Sequence, residues 1–245
     1  MNILRSATAS VAAGLLLLAG CASGSEAPSG PAAAAASPSP AGNGMAQASA
    51  WEILVRAKQA LTAAKSFHVF GTLQGDGGTD TFDLKRAGAD FLGTLTMGGA
   101  RMEVLAVGDQ RFFRVNQKMA ALVPGAQNLG VPASALNRMW LRPAPDDQSF
   151  AKLAGDFGVE ALLDSTSKAV KGDATVSDGR PAIVLKDPET GDALYVSTVG
   201  EPLPLKIDSD GGSLIFREFG AEFPEIAMPD AGNVFQVPSQ KTKKS

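Results

Sequence analysis

The sequence predicts an α+β domain with an antiparallel sheet, on the basis of two observations. The spacing of apolar residues changes from a helical period to a period of two at Ser66, and Gly-containing turns then recur at short intervals. A helical pattern interrupts the strands between residues 132 and 168, and strand patterns resume at Asp173. Strands and helices therefore occur in separate blocks, which argues against a doubly wound parallel sheet.

The charge balance and residue counts exclude several classes of protein. The chain of 245 residues has 22 basic and 25 acidic side chains, one His and one Cys. A formal net charge of -3 provides no field that attracts a polyanion, so we expect no nucleic-acid partner. A single Cys cannot form an intramolecular disulfide, and a single His leaves little for a His-rich metal site or a His-centred triad.

The first 21 residues have the pattern of an export signal. Arg5 precedes an apolar run that ends in Leu18-Ala19-Gly20-Cys21. This ending resembles the lipobox of bacterial lipoproteins, in which the Cys sulfur carries diacylglycerol. We therefore expect residues 1–20 to be a lipoprotein signal peptide, and Cys21 to anchor the mature protein to the outer face of the cytoplasmic membrane. The alternative is a plain signal peptide that leaves the mature protein free.

The residues after Cys21 predict a linker followed by one domain. Residues 21–48 are rich in Ala, Pro, Ser and Gly and lack the apolar content to join a core, so we expect a disordered spacer. The predicted domain covers residues 49–238. Residues 239–245 contain Lys241, Lys243 and Lys244 and predict a disordered tail.

The first helix and the first group of strands are well marked. Ser49 stands three residues before Glu52, the spacing of a capping box, and an apolar stripe then continues to about Lys65. The pattern next predicts a meander of short antiparallel strands, which begins with a hairpin at the glycines of residues 75–78. The expected strands of this meander cover residues 66–74, 79–86, 90–97, 101–107 and 111–115.

The second half of the chain predicts helices and then five more strands. Phe150, Leu153, Ala154 and Phe157 have helical spacing, and a second helical turn follows at Val159, Leu162 and Leu163. Turn signals such as Asp178-Gly179 then separate the later strands, which brings the expected total to about ten strands.

No motif in the sequence indicates an enzyme. Nucleophile-elbow, zinc-protease and phosphate-loop patterns are absent, and His68 lies in a strand without a second His or a Cys. Residues 208–212 begin like a calcium loop, but the ligand spacing then fails, which favours a turn. We therefore expect no catalytic residues, no metal ligands and no cofactor, and a structural or surface role for His68.

The apolar residues offer a candidate ligand pocket. Several Met and aromatic side chains lie in the strands and predicted helices, where deformable and flat apolar groups suit an adaptable cavity. Alternatively, the same residues pack together in a filled core and leave no cavity. The candidate lining residues are Leu95, Met97, Met102, Val104, Phe112, Met119, Trp140, Leu153, Phe157 and Leu162.

Several segments together resemble a family of actinobacterial envelope lipoproteins. These are the ending at Cys21, the Ala/Pro linker, the segments of residues 65–71 and 107–112, and residues 191–220. They are similar to the LppX/LprG-like and LolA-like lipid carriers, and the resemblance covers roughly residues 49–229. It implies a strongly curved antiparallel half-barrel with helices against its concave face, and an apolar cavity for acyl chains.

Two functions follow as expectations. The first is a membrane-anchored protein that binds or ferries a lipid or lipoglycan in an apolar cavity. The second is an anchored interaction or sensor module with a filled core, whose partner is another envelope protein. The volume of the cavity distinguishes the two, because an acyl chain needs several hundred Å³ of apolar space, on the order of a ligand pocket.

Overall fold

A computed structural model describes residues 41–75, 77–122, 136–144, 157, 163 and 168–237. These residues form an open, curved sheet of 12 strands with few helices, which confirms the predicted α+β half-barrel. In chain order the elements are α1 (Ala50–Ala63), β1 (Ser66–Gly75), β2 (Gly78–Ala87), β3 (Asp90–Met97), β4 (Ala100–Val107), β5 (Gln110–Val115), α2 (Gln117–Leu122), β6 (Trp140–Arg142), β7 (Val170–Ser177), β8 (Arg180–Lys186), β9 (Ala193–Ser197), β10 (Pro204–Ser209), β11 (Gly212–Arg217) and β12 (Val234–Gln236).

The order of the strands joins the two halves of the chain in one sheet. Across the sheet the order is β12-β6-β5-β4-β3-β2-β1-β11-β10-β9-β8-β7, so that β1 pairs with β11 at the junction. All neighbours are antiparallel except β12 and β6, which pair in parallel. The ten strands expected from the sequence are all present, and β6 and β12 are the two that were not predicted.

Helix α1 begins as the sequence predicts. The Ser49 hydroxyl accepts a hydrogen bond from the Glu52 backbone N–H, and the Glu52 carboxylate accepts one from the Ser49 backbone N–H at 2.9 Å. This reciprocal pair satisfies two backbone donors that a helix start otherwise leaves free. The apolar stripe of the helix, formed by Ile53, Leu54, Ala57 and Leu61, is buried against the sheet.

One face of the sheet carries the core, and we call it the inner face. Register places Val69, Leu84, Gly93, Val104 and Phe113 in one row across strands β1 to β5. The four side chains of this row are almost fully buried, at 0–1% exposure. They form a single core cluster with the stripe of α1.

The opposite face, which we call the outer face, is crossed by residues 218–233, here named the strap. The strap leaves β11, passes over β1 and β2, and leads into β12 beside β6. Phe223 of the strap is 9% exposed and lies 6.5 Å from the ring of His68. The Ser66 hydroxyl also donates a hydrogen bond to the Ala221 carbonyl at 2.6 Å, so the start of the strap is fixed to β1.

The packed domain begins before Ser49, which corrects the expected boundary. The Asn43 side-chain amide donates to the carbonyls of Ser197 and Gly200, each at 3.0 Å, and Gly42 forms an isolated bridge with Val199. Met45 is 1% exposed and belongs to the core cluster. The last residues of the expected linker are therefore part of the domain, because one methionine among them fills a position in the core.

Candidate functional site

The inner face provides the apolar surface from which a ligand site can be built. Beside the first row, register places Phe82, Leu95, Met102 and Val115 in a second row across β2 to β5. Three of these side chains are buried, whereas Leu95 is only partly buried against the core. The surface thus continues from a closely packed region to a more accessible one at β3.

An aromatic cluster lies on the inner face above β3. The ring of Phe157 is 5.8 Å from the ring of Phe82 and 6.2 Å from the ring of Phe91, in stacked arrangements. Gly93 lies beneath it, and a Cβ at this position would be 2.3 Å from Cδ1 of Phe157. The absence of a side chain at Gly93 therefore creates the space that the Phe157 ring occupies.

The structure brings together five of the ten predicted lining residues. Leu95, Met102 and Val104 are neighbours on the inner face, and Phe157 and Met119 are buried in the same core, at 5% and 4% exposure. Met97 ends β3 and is 36% exposed, at the rim of the sheet.

Two other predicted residues lie on the outer face and do not share this surface. Phe112 pairs with Leu105, and both point away from the row of Val104 and Phe113. Trp140 lies beside the Arg114 guanidinium, whose carbon is 4.4 Å from the centre of the ring. The inner-face site therefore does not include Phe112 or Trp140. Leu153 and Leu162, as well as the lipid-anchor candidate Cys21, lie outside the described residues.

The sequence contained a signal for the residues that were missed. In β5 the apolar Phe113 and Val115 alternate with the charged Arg114, which has the period of a strand with one apolar face. The same period places Phe91, Gly93 and Leu95 on one face of β3. The alternation separates Phe113 from Phe112, and the pairing of Phe113 with Val104 then places Phe113 on the inner face.

The outer face holds a network of charged groups around His68. The His68 Nε2 lies 3.1 Å from Asp83 Oδ1, and Nδ1 lies 3.0 Å from Glu218 Oε2. The hydrogen bond with Asp83 raises the pKa of His68, and burial only partly opposes this effect. Lys85 forms an ion pair with Glu225 of the strap. These five charged or polar groups therefore hold the strap and the sheet together on the outer face.

A second charged group on the outer face surrounds Glu103. Burial by itself raises the pKa of this carboxyl, but the Arg114 and Arg101 guanidinium groups reverse the effect and lower it. The Glu103 carboxylate accepts a hydrogen bond from Arg114 Nε and a second from Arg101 at 3.0 Å. Because Arg114 also lies on Trp140, this network fixes the position of the indole ring.

The described part of the chain has neither a group of metal-ligating side chains nor a helix that could span a membrane. Among those residues, no three His, Cys, Asp or Glu side chains come together in a group that could hold a metal ion. Within the same residues, no helix is both long and apolar enough to cross a membrane.

Comparisons with known proteins give similarities in structure alone. No family model and no curated protein matches the chain. LprF from Mycobacterium bovis is similar with a TM-score of 0.41 and 13% identity, over 74% of this chain and 95% of that chain. The Mycobacterium tuberculosis lipoprotein LppX is similar with a TM-score of 0.37 and 14% identity, over 67% of this chain and 92% of that chain. At these values the similarities support no conclusion about function.

Proposed function

We propose that this protein is a membrane-anchored extracytoplasmic lipoprotein that binds or ferries a lipid or lipoglycan on the inner face of its sheet. The observation that carries the proposal is a wide apolar inner face with an accessible region at Leu95, next to the aromatic cluster of Phe82, Phe91 and Phe157. The lipobox ending at Cys21 supports the anchor.

The dimensions of the elements support an apolar ligand on this face. Twelve strands at about 4.8 Å spacing extend over roughly 50 Å across the sheet. The 14 residues of α1 form a helix about 21 Å long and about 10 Å wide. This helix covers only part of the inner face. The remaining buried side chains of this face are covered by other parts of the chain, and Leu95 stays partly accessible, where an acyl chain can remove apolar surface from water.

The mechanism of such a carrier is passive. Burial of an acyl chain provides about 25 cal/mol for each Å² of apolar surface removed from water, which offsets the cost of taking the lipid out of a membrane. The inner-face rows offer apolar contacts, and the ionic groups described above lie on the outer face. The protein therefore needs no chemical step to hold its cargo.

Leu95→Trp tests the proposal with a matched control on the same strand. Leu95 points to the inner face, whereas Leu92 pairs with Leu105 and points to the outer face. We expect protein made in an envelope-containing host to carry non-covalent lipid that mass spectrometry detects after solvent extraction. Leu95→Trp should reduce this lipid several-fold with little change in melting temperature, because the indole occupies space that the cargo uses. Leu92→Trp should leave the lipid content unchanged.

A filled core predicts the opposite pair of results. If the wild-type protein carries no lipid and Leu95→Trp lowers the stability by about 1–3 kcal/mol, as overfilling of a core does, the inner face is packed by the protein itself. The interaction module would then be the correct function. Val104→Trp provides the reference for overfilling, because Val104 is fully buried on the same face.

A further inference from the structure

A cavity lies on the outer face, on the opposite side of the sheet from the proposed lipid site. It has a volume of about 340 Å³ and lies between the strap and strands β4 to β6. Leu105, which is 2% exposed, forms its floor, and Trp140 forms one side. Ala227, Met228 and Pro229 of the strap form the opposite side. The cavity thus has apolar surfaces that come from distant parts of the chain.

The polar groups of the cavity carry both signs of charge. Arg114 and Arg138 supply two guanidinium groups, and Glu225 and Asp230 supply two carboxylates. The charge of Arg114 is paired with Glu103, and that of Glu225 with Lys85. The described lining residues therefore have no net charge that would select an anion or a cation, and their ionic groups do not suit an acyl chain.

We propose that this cavity binds a neutral saccharide of one or two rings. A sugar ring has a flat face of C–H groups and an edge of hydroxyls that both donate and accept hydrogen bonds. The C–H face can pack on the apolar surface of Trp140 and of the half-exposed Met228. The hydroxyl edge can form hydrogen bonds with Arg138, Asp230 and the Asn233 amide. The volume lies at the small end of ligand pockets, which range from about 300 to 1,000 Å³.

The cavity is organised before any ligand arrives. The Arg114 guanidinium lies on one face of the Trp140 ring, at 4.4 Å from its centre, and is itself bonded to the largely buried Glu103. Trp140 also belongs to β6, which pairs with β5 on one side and β12 on the other. The Asn233 backbone N–H donates to the Asp230 carbonyl at 2.8 Å, which fixes the turn that carries both polar side chains. Preorganisation of this kind lowers the entropic cost of binding.

Tryptophan fluorescence can report on this cavity alone. The chain has two tryptophans, and Trp51 is 70% exposed on α1, so Trp51→Phe leaves Trp140 as the single emitter without disturbing the core. Maltose, cellobiose, lactose and mannobiose are titrated into this variant of the protein. We expect at least one of them to change the Trp140 emission with saturation. Inorganic phosphate, titrated separately, should not do so.

Methionine methyl resonances then locate the binding. Met228 lines the cavity, Met102 lies on the inner face and Met97 lies at the rim. We expect the active disaccharide to shift Met228 and to leave Met102 and Met97 unchanged. Asp230→Ala and Asn233→Ala should each weaken binding about tenfold at unchanged melting temperature. Asp210→Ala, in the exposed turn between β10 and β11, is the matched control and should bind as the parent does.

Several results would overturn the assignment. They are the lack of a saturable signal with all four disaccharides, equal binding by the two cavity variants and the control, or saturation by phosphate. A shift of Met102 in place of Met228 would put the sugar on the inner face and would also reject this site. Since the lipid assay reports on Leu95 and the saccharide assay on Trp140 and Met228, either proposal can fail without the other.

Discussion

His68 shows how one side chain connects the sheet to the strap. It is the single histidine of the chain, and its ring lies between the carboxylates of Asp83 on β2 and Glu218 at the start of the strap. Phe223 packs against it from the strap, and Phe70 lies 4.7 Å away on β1. Glu218 also has a φ of 55°, which is unfavourable for a residue with a side chain. The ion pair with His68 helps to hold Glu218 in this conformation.

This arrangement predicts that stability falls as the pH rises beyond the ordinary pKa of histidine, about 6.5. The pKa of His68 is raised by the hydrogen bond with Asp83, so the folded protein holds the proton to a higher pH than the unfolded chain does. The stabilisation is therefore complete below the unfolded pKa, about 6.5, and is lost as the pH rises through the folded pKa. Chemical denaturation between pH 6 and pH 9 measures the trend, and NMR of the single imidazole gives the pKa.

His68→Gln is the control, because glutamine keeps a hydrogen-bonding side chain and does not titrate in this range. The variant should have lower stability at pH 6 and a flatter dependence between pH 6 and pH 9. An equal slope in the two proteins would show that His68 is not the group responsible.

At the scale of elements, residues 42–48 form an additional segment that packs against the domain. Its backbone is fixed at Thr198, since the Asn43 N–H donates to that carbonyl at 2.9 Å. Met45 inserts into the core, and Lys171 of β7 donates to the Ala46 carbonyl at 2.5 Å. The segment therefore connects α1 to both β7 and the turn after β9.

Met45→Ala should lower the free energy of unfolding by about 2–5 kcal/mol, the usual cost when a large buried side chain is shortened to alanine. Thermal and urea denaturation of the two proteins measure the change. Gln47→Ala, at an exposed position two residues away, should change the stability by less than about 0.5 kcal/mol. Similar effects of the two substitutions would mean that the segment does not pack as described.

At the scale of the whole molecule, the proposed anchor and the folded domain are separate parts of one chain. The proposal assigns membrane attachment to Cys21 alone. Cys21→Ala should therefore move the protein from the membrane fraction to the soluble or secreted fraction of the producing cell. Its melting temperature should match that of the wild-type protein produced without the signal, because the described core is formed by residues from Met45 onward.

Fractionation followed by immunoblotting measures the distribution, and mass spectrometry of the wild-type N-terminal peptide detects the diacylglycerol. Tight membrane association of Cys21→Ala would reject the anchor. Secretion of the wild-type protein with an unmodified N-terminus would favour a plain signal peptide.

The sequence by itself determined the position of most elements, because the signals for them are local. The Ser49 and Glu52 pair fixes the start of α1, and Asp178-Gly179 has positive φ angles of 51° and 75° in the predicted turn between β7 and β8. Alternation of apolar residues likewise located ten strands. Each of these features depends on residues that are close together in the chain.

Only the tertiary structure decided which side of each strand faces the core. Alternation divides the residues of β5 into two sets, but the pairing of Phe113 with Val104 selects the set that points inward. Strands β6 and β12 have three residues each, too few for a periodic signal, and they form because the strap brings their backbones together. The burial of Met45 depends in the same way on distant residues. Long-range pairing and packing, which no local pattern contains, therefore placed Phe112 and Trp140 on the outer face.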